Sequence, residues 1–335
     1  MIFNKHSVKK FAVACLFILS SLQVVLAQRK AFEILNPVID RDYADPTVIR
    51  ANGKYYAYAT QGNREGKSIH IMVSSSTNLQ NWKFEGDALP VMPNWSNSEF
   101  WAPHVVYDKQ LKKYILFYSG ESTDDITGKC LGVAFADKPE GPFIDKGSPL
   151  ICGSGFINID PFAFIDPKSG KKLLYWGSDF KPLKVQELTD DWKSFKPGTS
   201  PTDLVAAGQE KNYTILLEGS WIDFHKGKYY LYYSGDNCCG VNANYAVMVA
   251  RADNAFGPFI RMGAALGINS SVILAKTDKW LAPGHNSIFR DNKGNVYMAY
   301  HAIRIDKTDP QFYDKGRLMM ISPVVYKNGW PVVKY

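Results

Sequence analysis

One short phrase returns five times along the chain, and this repetition constrains the fold more than any other feature. It reads DPTVIR from Asp45, APHVVY from Ala102, DPFAFI from Asp160, EGSWID from Glu218 and HNSIFR from His285, each followed within a few residues by an aromatic run such as Tyr55–Tyr58 or Tyr229–Tyr233. The openings at 45, 102, 160, 218 and 285 are 57, 58, 58 and 67 residues apart. A period of this length, filled with several short strands, is the signature of a radial β-architecture. A single unit of this size cannot bury both of its faces, so the units must stack on one another in a ring. The expected fold is all-β: a five-bladed β-propeller of four-stranded blades around a central channel. A β-sandwich would leave the fivefold phrase unexplained.

Within each unit, a short mixed strand leads into a turn such as Asn52-Gly53, Lys226-Gly227 or Lys293-Gly294, the dipeptide type that closes hairpins. The second strand is aromatic and β-branched, suited to a pleated surface covered on both sides. A third strand follows, for example Ile69–Val73, and the fourth is introduced by Trp82, Gly141–Phe143, Trp192, Gly257–Phe259 or Gly329–Pro331. No segment after the first 27 residues sustains an apolar period of 3.6. Residues 32–37 are expected to add to one blade, which the phrases do not specify.

The first 27 residues stand apart. Lys5, Lys9 and Lys10 precede an apolar stretch from Phe11 to Leu26, and Val25–Ala27 offers small residues before Gln28. This reads as a cleaved secretory signal over 1–27, with the propeller over 28–335. A membrane anchor would need about 20 uninterrupted apolar residues, and Ser20, Ser21 and Gln23 interrupt this run. The expectation is an exported protein, periplasmic or extracellular, with no membrane span after cleavage. Loss of the three lysines lowers the net charge from +7 to +4 without leaving any cationic run, which does not favour a nucleic-acid partner. Cys130, Cys152, Cys238 and Cys239 remain, and an exported chain can oxidise them. Cys130 and Cys152 span a plausible loop, while Cys238-Cys239 suits a tight loop better than a metal site.

Equivalent positions of a ring face one axis, so Asp45, Asp160, Glu218 and His285 should converge at one mouth of the channel. Three carboxylates in one small volume push their pKa values apart. Glycoside hydrolysis needs such a set: one carboxylic acid protonates the leaving oxygen, and a carboxylate activates water or attacks directly. A third can orient the acid and raise its pKa. Taken singly, Asp-Pro is ordinary turn chemistry. The shared register is what turns these residues into a candidate site. His285 can serve either as a hydrogen-bonding histidine or as a metal ligand. Trp101, one residue before the second opening, is a candidate platform for a sugar face, and Arg317 a candidate substrate contact from the last repeat.

Tyr43–Thr47 (YADPT), Ile159–Pro161 (IDP), Leu217–Gly219 (LEG), Phe100–Pro103 (FWAP) and Gly257–Phe259 (GPF) together resemble glycoside hydrolase family 43 over nearly the whole chain. The resemblance implies an inverting hydrolase with Asp45 as general base, Glu218 as general acid and Asp160 as pKa modulator. Ser234–Gly240 (SGDNCCG), Tyr245–Val249 and Ala282–Asn286 (APGHN) are similar to segments of arabinan-cleaving members. There the histidine helps hold a calcium-centred water cluster, which gives His285 a metal role and Ca²⁺ as the implied cofactor. The implied substrate is an oligo- or polysaccharide with α-L-arabinofuranosyl linkages, cut in endo or exo fashion. A β-xylosidase or galactan-active enzyme is the alternative within the family, and a non-catalytic carbohydrate-binding propeller the alternative outside it. His104 stands where many members have an acid. The nucleophile and acid phrases of the related fructan hydrolases do not occur.

Overall fold

The computed structural model describes residues 34–124, 127–309 and 316–335. The leader expected over 1–27 lies outside them. Residues Asn36–Tyr335 form one compact unit built of five antiparallel sheets, the blades of a propeller. A one-turn helix, Met262–Leu266, is the only helix among the described residues.

The innermost strands are Thr47–Ala51, Ser96–Asp108, Phe162–Ile165, Leu217–His225 and Trp280–Arg290 for blades I to V. Each touches the next, and the fifth touches the first, so the ring is closed. The second strands, Lys54–Ala59, Lys113–Ser122, Lys172–Trp176, Lys228–Gly235 and Val296–Arg304, are almost wholly buried. Their aromatic composition follows from this position, since both faces must fill the space between neighbouring blades. One apolar cluster bridges blades I and II around Tyr58, Phe100 and Tyr118. A second bridges II and III around Phe117, Trp176 and Trp192, and a third spans blades III to V around Tyr175, Tyr232 and Met298.

The Asn52-Gly53 and Lys226-Gly227 turns form as expected: all four residues have positive φ, between 47° and 82°, and each joins strands two residues apart. Three details differ from the sequence reading. The third strand of blade I is Met72–Ser76, because Lys67–Ile69 pairs instead with Gly62–Arg64 in a separate ribbon. The outer strand of blade III is Thr202–Asp203, ten residues beyond Trp192, whose indole is fully buried at a tight turn. Blades II and IV gain a fifth strand, Ile151–Cys152 and Val272–Leu274, each laid along the third strand beside the fourth.

Blade V settles how the ring is sealed. Its third strand, Leu318–Lys327, pairs at one end with Ile39–Asp42 and at the other with Trp330–Val333. The two termini of the described propeller therefore share a single sheet edge. Asn36 extends this seam, its side chain donating to the Ile321 carbonyl at 2.9 Å and accepting the Ile321 N–H at 2.8 Å.

At the far ends of three inner strands, aspartates tie each blade to the next. Asp108 accepts Lys172 Nζ and the Trp192 indole N–H (2.7 Å). Asp166 accepts the Tyr229 hydroxyl, and Asp223 holds Arg290 through both carboxylate oxygens at 2.7 and 2.9 Å. Cys130 is bonded to Cys152, and Cys238 to Cys239.

Candidate active site

Each inner strand carries a residue in the left-handed region, just before the strand or at a break in its ladder: Asp45 (φ 53°), Ala102 (48°), Asp160 (59°), Gly219 (62°) and His285 (48°). Four of the five are not glycine. Such strain costs of order 1–3 kcal/mol per residue and gathers at functional sites. The fourth blade corrects the sequence register by one residue: its left-handed position is Gly219, and Glu218 sits immediately before it. A methyl group on Gly219 would make only ordinary contact with the His285 ring at 3.4 Å, so it is the positive φ rather than lack of space that favours glycine here.

A second ring of polar side chains holds these turns. The N–H of Ala102 donates to Thr60 Oγ1 (2.9 Å), that of Asp160 to Ser119 Oγ (3.1 Å), that of His285 to Ser234 Oγ (2.8 Å) and that of Asp45 to His301 Nδ1 (3.2 Å). All four partners are buried and follow the aromatic run of the preceding blade's second strand. The blade III equivalent, Ser178, is released from this duty because the Gly219 N–H donates to Asp160 Oδ2 (3.0 Å). Ser178 donates instead to Glu218 Oε2 at 2.8 Å. This ring was missed in the sequence. Its signal is a hydroxyl or histidine closing each aromatic strand: Thr60, Ser119, Ser178, Ser234 and His301.

The openings do converge. Asp45 Oδ1 lies 3.0 Å from Arg317 Nη1, 3.2 Å from His301 Nδ1 and 3.5 Å from His285 Nδ1, and Oδ2 accepts the Thr60 hydroxyl. His285 Nδ1 is also 3.7 Å from Asp160 Oδ2. Glu218 Oε1 accepts the hydroxyl of Tyr245 at 2.8 Å, and the Tyr245 ring stacks on His301 with centroids 5.7 Å apart. All three carboxylates are at least nine-tenths buried. Arg317 reaches the site, and its contact there is the ion pair with Asp45. Trp101 lies to one side beneath Lys129, whose ammonium is 4.0 Å from the indole centroid. His104 belongs to the core, with Nδ1 accepting the Ala163 N–H (3.0 Å) and its ring against Phe162 and Trp221.

These surroundings divide the carboxylates. Burial opposes ionisation of Asp45, but Arg317, His285 and His301 outweigh it and hold the carboxyl well below its usual range. Burial keeps His285 neutral and brings His301 down to about 4, so the lasting cation beside Asp45 is Arg317. Asp160 is raised well above its usual range by burial, then by Glu218 and Asp45. Glu218 is raised by burial and by Asp45, against the hydrogen bonds from Tyr245 and Ser178. Near neutral pH the site thus holds one ionised carboxylate next to a pair that resists losing its protons. Replacing Arg317 by Gln removes the cation, so the acidic limb of the pH profile of kcat/KM is expected to move to higher pH. An unmoved limb would mean that Asp45 does not depend on Arg317.

Among the described residues, no three His, Cys, Asp or Glu side chains are placed to hold a metal ion together. Beside His285 and Gly219 in the chain, however, the buried side-chain atoms of Asn286 and Ser220 lack any protein partner, as does Nε2 of His301. Buried polar atoms of this kind call for water or an ion. One neutral imidazole with neutral oxygen donors fits a hydrated hard cation rather than a closed protein cage.

Comparison with known proteins agrees with the geometry. The chain is 27% identical over 301 residues to the extracellular endo-α-(1→5)-L-arabinanase 1 of Bacillus subtilis, covering 86% of each chain. It is 28% identical over 314 residues to a β-xylosidase of Xylanibacter ruminicola, covering 79% of this chain and 89% of that one. Its structure superposes on that of a thermostable family-43 glycoside hydrolase with a TM-score of 0.74 and 27% identity, over 90% of this chain and 96% of the other. Residues 34–331 match Glycosyl hydrolases family 43, and with its propeller and buried carboxylate trio the chain belongs to that family and is a glycoside hydrolase.

Proposed function

We propose that the protein is an exported, inverting hydrolase of α-L-arabinofuranosyl linkages in plant polysaccharide. The observation that carries the chemistry is the opposed surroundings of two carboxyls in one buried mouth: Asp45 is paired with the Arg317 guanidinium, and Glu218 meets only the neutral hydroxyls of Tyr245 and Ser178 in the contacts described. In this reading Asp45 takes a proton from a water molecule as its oxygen attacks the anomeric carbon. Glu218, whose protonated form is favoured by burial and by the Asp45 charge, gives its proton to the departing glycosidic oxygen, and Asp160, the modulator of this pair, accepts the Gly219 N–H and so fixes the turn that carries Glu218. One bond forms as one breaks, so the product has the opposite anomeric configuration.

The two segments that resemble arabinan-cleaving members support the choice of sugar, because they meet in space. Ser234 holds the His285 backbone, and Cys238 packs with Tyr245 and Ala282, so both segments brace the tyrosine that binds Glu218. A β-xylosidase reading is kept because a relative of that name is equally similar. No helix among the described residues is long and apolar enough to cross a membrane; export is supported by the similarity to an extracellular arabinanase. A screen on linear arabinan, branched arabinan, xylan and aryl glycosides, with the first product followed by NMR, tests the reading. Arabinose-containing products released with inverted configuration are expected. Release of xylose alone, or retention, overturns it.

A hydrated Ca²⁺ fits the channel, held by His285 with Asn286 and Ser220 as neighbouring donors. When bound it supplies positive charge beneath the acids. Chelation is expected to lower the melting temperature by about 5 °C, with recovery on adding Ca²⁺. Identical melting with and without chelator, and no calcium by elemental analysis, would leave His285 a structural residue.

A further inference from the structure

A cavity of about 220 Å³ opens where blades IV and V meet, lined by Lys228, Arg251, Pro258, Ile260, Ala265 and Trp330. It lies at the opposite end of blade IV from the acids. Glu218 opens the inner strand of that blade, and Lys228 stands across from His225 at the strand's other end. Between residues 218 and 225 the strand covers about 20 Å, at about 3.3 Å per residue. The cavity is therefore no part of the mouth in which the three carboxylates meet.

Arg251 is fixed in place. Gly329, in the turn between the last two strands of blade V, offers its carbonyl to Arg251 Nη1 (2.9 Å) and to the Tyr230 hydroxyl (2.8 Å). The guanidinium lies over the buried Trp330 ring, 4.5 Å from its centroid. An arginine carries five N–H donors in a rigid fork, and this one commits only Nη1 to the protein among the described residues. Lys228, 42% exposed, pairs with Asp253, and Lys168 donates to the Asp253 and Gly227 carbonyls at 3.0 and 3.1 Å. The bond from Lys228 holds the Asp253 carboxyl below its ordinary range, with Lys168 and Arg251 adding to the effect. Three cations thus gather round one acid. That acid is 79% exposed, so an incoming carboxylate can take its place on Lys228.

We propose that this cavity binds a single carboxylate-bearing sugar ring, a uronate unit of an acidic polysaccharide, as a docking point remote from the catalytic mouth. The planar carboxylate matches the free edge of the Arg251 guanidinium in two parallel bonds, and Lys228 adds a point charge beside it. Pro258, Ile260 and Ala265 give the C–H face of the ring an apolar wall. The cavity is smaller than sites that enclose a drug-sized ligand, which suits one ring of a chain whose remainder stays in solvent. A bare phosphate would use the cations and leave that wall empty. The proposal concerns a face the reaction does not use, and it holds whichever linkage the enzyme cleaves.

Calorimetric titration of the full protein with trigalacturonate, its methyl ester and inorganic phosphate tests this. The wild type is expected to bind the free acid with a Kd of about 1 mM. The ester, which lacks the charge, and phosphate, which lacks the ring, should both bind more weakly. Arg251→Gln and Lys228→Gln should each weaken binding of the acid about tenfold, the scale of one lost charge-assisted hydrogen bond. Their kcat/KM on the aryl glycoside of a single sugar, too small to reach both sites, should stay at the wild-type value. Should Arg251→Gln fail to fold, Lys228→Gln decides, since its side chain is partly exposed. Absent binding of the acid, acid and ester bound alike, phosphate bound as tightly as the trisaccharide, or variants that bind like the wild type each overturn the proposal. Binding needs no turnover, so a protein that hydrolyses no glycoside would sink the functional reading and leave this measurement to decide the cavity alone.

Discussion

Asp45→Asn is expected to abolish turnover of every substrate, with kcat falling about 10³–10⁴-fold, the upper range for loss of a general base. Glu218→Gln should behave differently. On a sugar leaving group, which departs as a poor alkoxide unless protonated, the loss should be of the same size. On an aryl glycoside with an activated phenol, which leaves without a proton, it should be about tenfold or less. The contrast follows from the surroundings of the two groups. Asp45 is held in its ionised form beside Arg317 and can only accept a proton, whereas burial and the Asp45 charge favour the protonated form of Glu218. Glutamine at 218 can still accept from Ser178 and Tyr245 through its single carbonyl oxygen in part, so the fold of the site should survive. Equal losses for the two variants on both substrates would contradict the division of roles.

Asp108→Ala is expected to carry the largest cost in stability. Its carboxylate and the Lys172 ammonium are only 2% and 7% exposed, and the same oxygen accepts the Trp192 indole N–H. Removing the acid takes the counter-charge from a buried ammonium, which keeps the Asp190 carbonyl and the Trp192 ring face, and leaves the indole N–H without its acceptor. The expected loss is about 3–5 kcal/mol, or a melting temperature lower by about 10 °C. Asp137→Ala, which breaks the exposed pair with Lys113, should cost less than about 1 kcal/mol. The pair also predicts acid behaviour. Burial raises the Asp108 carboxyl, but Lys172, the Leu111 N–H, Trp192 and the Gln110 N–H more than offset this and bring it down to about 2. Its folded pKa lies below the unfolded value of about 3.9, so its contribution is complete above about pH 4 and is lost as pH falls through about 2. Asp108→Ala should therefore flatten the acid limb of the stability curve. A variant that melts like the wild type would show that the clamp between blades II and III contributes nothing.

The ring and the convergence of its openings were legible because a fivefold period forces equivalent residues to one axis, whatever each blade's details. What the phrases could not carry was anything that depends on contact between blades. Glu218 looked equivalent to Asp45 and Asp160 by spacing alone, and only the backbone shows that Gly219 occupies the strained position. His301 works across a blade boundary, on Asp45, and Tyr245 reaches Glu218 from 27 residues away within blade IV, so no local pattern marks either. Arg317 stands out in the sequence as a candidate substrate contact from the last repeat, and its pairing with Asp45, 272 residues away, is visible only in the fold. The outer strand of blade III shifted because the buried Trp192 needed a turn of its own, a packing demand without periodic signal.

The seam of blade V has a consequence for when the enzyme exists at all. Arg317 opens the strand whose edge both termini share: its carbonyl accepts the Tyr43 N–H (2.8 Å), its own N–H donates to Asp42 Oδ1 (2.9 Å), and its guanidinium meets Asp45. The residue that arms the base is thus delivered by the same zipper that joins the first-made part of the propeller to the last. A chain still being synthesised, or one whose seam has come undone, carries all three carboxylates but has no cation to keep Asp45 ionised. Hydrolysis in this protein is the readout of a finished circle.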